Sequence, residues 1–427
     1  MTQPSTPAPG PQSGPLTGLR VVELCDEAGE LAGKLLGDMG ADVIKVEPPE
    51  GARTRGYEPF LGDEPHPERS LYFWHYNTSK RSVTLDLETD EGREAFRRLV
   101  ANADVLVEDQ PPGRLAALGL DYADLRAANP QLIHAAITSF GRDDPRSLEP
   151  FTDLTILAGG GPVWSCGYDD HSLPPVRGGG GQGFQTGCHW ALISILTALL
   201  HRDGGGEGQF IDVSMHAASN VTTEAASYQW LVANNTVQRQ TGRHAAPSPS
   251  IPTQREAADG RWINTGLFPR YPDQFTTVIE WLREVDLLDA FEEAPLLEVA
   301  AGREGMLNIG RIGEDGEEAA LLAAGREAMN LLAARLPAYE FFEGAQQRGF
   351  QVGIIYAPEE VIADPHFVAR GFPTEIEHPE LDRSFTYPGA PWRFGASPWA
   401  ISRRPPLLGG HTEELLAELG LAPAGAD

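Results

Sequence analysis

The chain has 427 residues, with 61 acidic against 33 basic side chains and a formal net charge of −28. That length exceeds one ordinary core, so two domains are expected. The charge argues against nucleic acid as a partner, because phosphate neutralisation needs a basic surface, yet a few clustered Lys and Arg residues can still hold a phosphorylated small molecule.

Residues 1–16 are rich in Pro and Ser, without a basic leader or an apolar stretch, and read as a disordered tail rather than a signal peptide. Cys25, Cys166 and Cys188 are odd in number and widely spaced, which fits neither a disulfide framework nor a zinc site. No other metal-ligand cluster stands out, and no apolar run is long enough to span a bilayer. A soluble cytoplasmic protein is expected.

From Leu19 the pattern alternates between strand and helix. RVVELC (Arg20 to Cys25) and ADVIKVE (Ala41 to Glu47) read as strands flanking a helix from Glu30 to Met39 that stops at Gly40. RSVTLDL (Arg81 to Leu87), a helix from Asp90 to Asn102 capped by Thr89, ADVLVE (Ala103 to Glu108) and LIHAAIT (Leu132 to Thr138) continue the series. Repeated β-α-β units predict an α/β domain with a parallel sheet covered on both faces and ligands beyond the carboxyl ends of its strands. Glu47, Glu108 and Phe140-Gly141 fall at those ends. Lys45, Arg53, Lys80, Arg81 and Arg114 lie close to them in sequence. One such residue is by default a solvated surface charge, but several on one edge of an acidic protein point to a phosphate-bearing ligand.

The stretch from Pro174 to Met215 reads as a glycine-rich turn, a helix apolar on nearly every face (Trp190 to Leu200), a second glycine turn (Gly204 to Gly208) and a strand (Phe210 to Met215). So apolar a helix is expected inside a domain, and it is too short to cross a membrane. The Gly178 to Gly183 loop would then be rigidly anchored, with bare backbone able to approach a ligand. Gly180, Gly181, Gln182 and Gln185 are its candidate substrate-facing residues. The two glutamines either orient a bound ligand or help cap the helix, with Thr186 as N-cap. A loose G-x-G-x-x-G (Gly178, Gly180, Gly183) follows a Pro-Pro turn rather than a strand, so it is not taken as a dinucleotide fingerprint. His189 is expected as a satisfied core residue, and Cys188 carries no sign of activation.

Beyond Met215 a helical run (His216 to Asn235) leads into Pro/Ser-rich sequence, then a second α+β unit that includes a helical stretch from Glu314 to Arg335. The last segment is turn-rich before a short helix (Thr412 to Leu419) and is expected to pack back on the chain or on a second subunit. The expected boundaries are a large domain over 17–220, a linker over 221–250, a small α+β domain over 251–365, and a return linker and C-terminal segment over 366–427 packing on the large domain.

LTGLRVVEL, LLGDMGADVIKVEPPEGARTR, SLYFWHYNTSKRSVTLDL and ADVLVEDQPPGRLAALGLDYADLRAANPQLIHAAITSFG resemble, in that order, the N-terminal domain of the family III CoA-transferases, the group of the carnitine and formyl-CoA transferases and the methylacyl-CoA racemase. The likeness continues through PPVRGGGGQG, GGGEGQFIDVSM, APEEVIADPHFVARGF and PPLLGGHTEELLAELG, covering nearly the whole chain after the tail. It implies a Rossmann-like large domain joined by two linkers to a small domain, and two such chains threaded through each other as an interlocked dimer. It also implies no tightly bound cofactor, with a coenzyme A thioester as substrate along the strand ends. Carried over by motif, Lys80 of SKRS and Asp109 of VEDQPPG would touch the CoA, with Arg53 and Arg114 as phosphate partners. Lys45 and Arg81 join them on the charge argument.

The chain departs from the family pattern in three places. Glu108-Asp109-Gln110-Pro111-Pro112-Gly113 stands where the family reads Glu-Asn-Phe-Arg-Pro-Gly, and LCDEAGE is a residue short, without the proline after Ala28-Gly29. The third departure is catalytic: these transferases attack the thioester with an Asp carboxylate, whose position falls here at Gly183 or Phe184, and no Asp or Glu occurs from Gly178 to Gly187. The racemase pair fails too, since Phe151-Thr152-Asp153 replaces its Gly-His-Asp. Asp153 is the weak substitute carboxylate; capping accounts more simply for it and for the turn residues Asp169-Asp170.

The expectation is therefore a protein of this family acting on an acyl-CoA thioester and a carboxylic acid. It would be either the non-nucleophilic subunit beside an Asp-bearing homologue or a homodimer with altered chemistry. The alternative is a non-catalytic acyl-CoA-binding or scaffolding subunit.

Overall fold

The computed structural model describes residues 14–265, 268–308 and 316–421. All but the last three residues of the expected tail, and Glu314 at the start of a predicted helix, lie outside the described residues. The first of two compact units takes the chain up to residue 167, 171–238 and everything from 364; the second takes 168–170 and 239–363.

The first unit holds β1 (Arg20–Leu24), α1 (Glu30–Asp38), β2 (Asp42–Glu47), α2 (Leu71–Tyr76), β3 (Lys80–Thr84), α3 (Asp90–Ala101), β4 (Val105–Glu108), α4 (Arg114–Ala117), α5 (Tyr122–Ala128), β5 (Ile133–Thr138), α6 (Asp153–Gly160), α7 (Gln182–Asp203), β6 (Phe210–Ser214), α8 (Met215–Val221) and α9 (Glu224–Ala233). All six strands run parallel in the order β3-β2-β1-β4-β5-β6. This is a doubly wound sheet, and its topological switch point lies between β1 and β4, where an open α/β sheet offers a crevice. Strands β1 to β5 are buried on both faces, whereas the edge strand β6 is only partly covered. Val21, Val43, Val105 and Ile133 face α1 and α7, while Val22, Ile44 and Leu106 face Phe96 and Leu99 of α3 and the C-terminal helix Thr412–Glu418. Near-continuous apolar runs are what such burial demands.

The second unit sets helices Pro272–Glu284, Ala294–Ala301, Gly316–Arg335 and Ala338–Gln347 around a three-stranded antiparallel sheet of Gln254–Glu256, Trp262–Asn264 and Gly353–Ile354. Phe275, Trp281, Met329 and Phe341 fill its core. The stretch 221–250, expected as a linker, carries helix α9 and the paired strands Gln238–Gln240 and Arg243–Ala246.

Helix α7 departs most from expectation. It has 22 residues rather than the eleven from Trp190 to Leu200, and by length and composition it could cross a membrane. It is also only half buried: Ala191, Ile195 and Leu199 face the core, whereas Trp190, Ile193 and Leu200 are exposed. An all-round apolar sequence cannot reveal which face meets its own sheet.

Beneath the strand ends lies a cluster of fully buried charges. Lys45 Nζ contacts Glu23 (3.1 Å), Glu30 (2.9 Å) and the Cys25 carbonyl (2.7 Å), and Lys80 Nζ sits 2.6 Å from the other Glu23 oxygen. Burial alone would lower the Lys45 pKa, but Glu30, Glu23 and Glu47 hold it well above its ordinary value; burial and Lys45 lower that of Lys80 despite Glu23. Helix α1 comes so close that a Cβ on Gly33 would lie 1.6 Å from a Glu23 oxygen. Removing one partner from such a cluster leaves an uncompensated buried charge, so Glu23→Gln is expected to cost about 3–5 kcal/mol. Gly33→Ala should be comparably damaging by collision. Thermal unfolding checks both, and unchanged midpoints would refute the account.

Candidate functional site

The carboxyl ends of β1 to β4 surround a cleft of about 510 Å³, walled by Cys25 and Asp26 after β1, the Pro48–Arg53 loop after β2, Leu85–Glu88 after β3, and Gln110, Arg114 and Leu115 after β4. The Pro48–Arg53 wall is clamped from below. Arg55 forks both oxygens of Glu47 (2.6 and 2.9 Å), and Ser82 donates to the same carboxylate (2.6 Å). Burial pushes the Glu47 pKa upward, but these bonds and the Arg55 charge outweigh it and leave the carboxyl below its ordinary value.

Of the six residues expected to meet a ligand here, two reach the cleft. Arg53 binds Asp26 through Nε (3.0 Å) and stays largely exposed, and Arg114 binds Glu88 (2.7 Å). Lys45 and Lys80 do not reach it, because both ammonium groups are fully buried among carboxylates. Arg81 lies at the opposite end of the sheet. As the second residue of β3 it pairs with Asp42 (2.6 Å) and with Glu414 and Glu418 (2.8 Å each) of the C-terminal helix. Asp109 lies at the switch point, where both its oxygens accept the Asp26 backbone N–H (3.1 and 2.9 Å).

The glycine segment also differs from a free loop. Helix α7 begins at Gln182, so Gly183 and Phe184 stand in its first turn, and Gly180 takes a left-handed φ of +74°. Thr186 is not the N-cap: its hydroxyl donates back to the Gln182 carbonyl (2.6 Å). The cap comes from α6, where Asp153 Oδ1 accepts the N–H groups of Gly183 (2.7 Å) and Phe184 (3.4 Å). Arg177 completes the clasp, reaching Asp153 Oδ2 (3.1 Å) and the Gly180 carbonyl (2.9 Å). Asp153 thus braces a helix start, as capping chemistry suggested, though it is the start of α7. Asp169 is held by Arg243 (2.7 Å). His189 is exposed rather than a core residue. Cys188 is buried and donates to the Ala28 carbonyl (3.1 Å); burial pushes its pKa up to about 12.

Gly181, Phe184, Gln185 and Cys188 close a second, small cavity of about 10 Å³ against Glu27, Leu31, Tyr72 and Tyr76. Gln185 Nε2 donates to the Tyr76 hydroxyl (3.1 Å). Sequence reasoning passed over Glu27 and the tyrosines, since Glu27 lies in the turn after β1 whereas Tyr72 and Tyr76 come from helix α2, more than forty residues later. The one local signal was an acid, Glu27, directly after the cleft residue Asp26.

A family model described as CoA-transferase family III matches residues 16–412. The chain belongs to that family. Among curated members, it is 31% identical over 405 residues to the succinyl-CoA:(R)-benzylsuccinate CoA-transferase subunit BbsE of Thauera aromatica, covering 94% of this chain and 93% of that one. It is 32% identical over 415 residues to the succinyl-CoA:mesaconate CoA-transferase of Haloarcula hispanica, covering 96% and 97%. Among solved structures, a CAIB/BAIF family protein from Brucella suis superposes with a TM-score of 0.75 at 30% identity, covering 96% of this chain and all of that one.

Within this family III chain, the cleft and the glycine segment carry separate testable features. Burial, then the neighbouring Asp26 charge, push the Asp109 carboxyl well above its ordinary range, against the pull of the Asp26 N–H and Lys45. An acid whose folded pKa exceeds its unfolded one loses stability as pH climbs from the unfolded to the folded value. Asp109→Asn keeps an acceptor for the Asp26 N–H and removes the charge, so it should raise the thermal midpoint at neutral pH. The gain should vanish below about pH 4, where the unfolded carboxyl is itself protonated. Asp153→Ala should cost about 1–2 kcal/mol through the lost cap, again read from the thermal midpoint.

Proposed function

We propose that this chain binds the CoA part of an acyl-CoA in the strand-end cleft and takes part in moving CoA between that acyl group and a carboxylic acid. The observation that carries the reading is the 510 Å³ cleft at the switch point of a CoA-transferase family III chain, with two arginines on its rim. Its volume lies within the range of small-molecule sites. The relatives' own names pair a CoA thioester with a carboxylate, succinyl-CoA with benzylsuccinate or mesaconate. Arg53 is itself 69% exposed and Arg114 is bound to the exposed Glu88, so phosphate oxygens can compete for both guanidinium groups at little cost.

A subunit role has its own support. Residues 178–187 contain no acid, and BbsE is by name one subunit of its enzyme. The exposed side chains of α7 (Trp190, Ile193, Leu200) and α9 (Tyr228, Trp230, Leu231) supply apolar surface for a second chain, identical or homologous.

Titration calorimetry with CoA tests the placement. Arg53→Ala and Arg114→Ala are each expected to weaken binding about tenfold or more, as loss of a charge-assisted hydrogen bond does, with a shallower salt dependence. Wild-type affinity in both variants would put the CoA elsewhere. Incubation of the pure chain with succinyl-CoA and a panel of carboxylates separates the roles: transfer by the chain alone removes the binding-only reading, and transfer only after addition of an Asp-bearing homologue establishes the subunit.

A further inference from the structure

We infer that Glu27 is the side chain on which this protein carries CoA during transfer. The inference rests on the acyl-CoA reading above and adds the residue that performs the covalent step. Asp26 helps wall the large cleft and holds Arg53 there, while Glu27, the next residue, lines the small cavity against Gly181, Phe184 and Gln185. Consecutive residues of one turn thus line the two cavities. A thioester reaching from the cleft toward the glycine segment meets this carboxylate at their junction. Glu27 is half-buried and hydrogen-bonded to the Tyr57 phenol. Burial, then Glu27 itself, raise the Tyr57 pKa, so the phenol keeps its proton and orients the carboxylate.

Other nucleophiles near the segment are engaged. Both Asp153 oxygens are taken, one by the N–H groups of α7 and the other by Arg177, and the Cys188 thiol is buried and protonated. Among the described residues lining the small cavity, Glu27 is the one carboxylate. The cavity has room for about one water, so the acyl chain stays on the cleft side of Glu27.

The chemistry balances without any further reactant. A Glu27 oxygen attacks the thioester carbonyl, the C–S bond breaks, and CoA leaves as thiolate from a mixed anhydride. The thiolate then attacks the Glu27 carbonyl carbon, releasing the first carboxylate and leaving a glutamyl-CoA thioester. The acceptor carboxylate attacks that thioester and forms a second anhydride, and the expelled thiolate attacks its acceptor carbonyl, giving the new acyl-CoA and free Glu27.

The test incubates the purified full chain with succinyl-CoA, then measures intact mass and maps peptides. The expected result is a CoA adduct, minus one water, on the peptide containing Glu27 and cleaved by hydroxylamine. Glu27→Gln, which preserves shape and still accepts from Tyr57, should lose the adduct while keeping succinyl-CoA affinity by calorimetry and the wild-type thermal midpoint. An adduct on another acid, or binding with no adduct, overturns the assignment to Glu27 and leaves the binding reading intact. Absence of binding overturns both.

Discussion

The structure depends on four charges that water does not reach. Glu23 on β1 stands directly opposite Lys45 on β2 in the sheet register, Lys80 on β3 completes the other side of the carboxylate, and Glu30 brings in helix α1. A buried ion is tolerable only with its partners in place, so a register slip in any of the three strands would strand a charge. Through its bond to the Cys25 carbonyl, Lys45 also fixes the turn that presents Asp26 and Glu27. The same cluster that holds the sheet therefore determines what faces the cleft.

The two ends of the sheet have opposite fates. At the amino end, Arg81 and Arg20 bind acids of the C-terminal helix, and the edge is closed by ion pairs. At the carboxyl end, Arg53 and Arg114 are themselves accessible in their pairs with Asp26 and Glu88. Basic residues at one end cement the fold, and those at the other can exchange partners. Sequence proximity could not separate these sets, because Lys80 and Arg81 open a strand whose cleft-facing end lies roughly 13 Å further along, at 3.3 Å per residue.

Much of the architecture was legible in the sequence. Short strand-like runs alternating with helical segments placed all six strands, and the Thr89 cap and the Gly40 stop bounded their helices because local hydrogen-bonding chemistry determines such ends. The burial of Lys45 was available as well: with period-two alternation it shares a face with Val43, and Glu23 shares one with Val21, so an opposite-charge pair inside a doubly covered sheet could have been read. The brace between Asp153 and the start of α7 could not, since it joins residues thirty apart across a turn whose path no local pattern specifies. The meeting of Glu27, Tyr57, Tyr72 and Tyr76 was hidden for the same reason.

The helix at residues 412–418 also bears on how the protein is made. The strand it covers emerges from the ribosome more than three hundred residues earlier, and the second unit, a nearly continuous segment, is synthesised in between. That segment can close its own core while the first strands still wait for their covering. During elongation the nascent sheet therefore exposes the edge strand β3, with Arg81 lacking two of its acids, until the helix at 412–418 is translated and removes that liability.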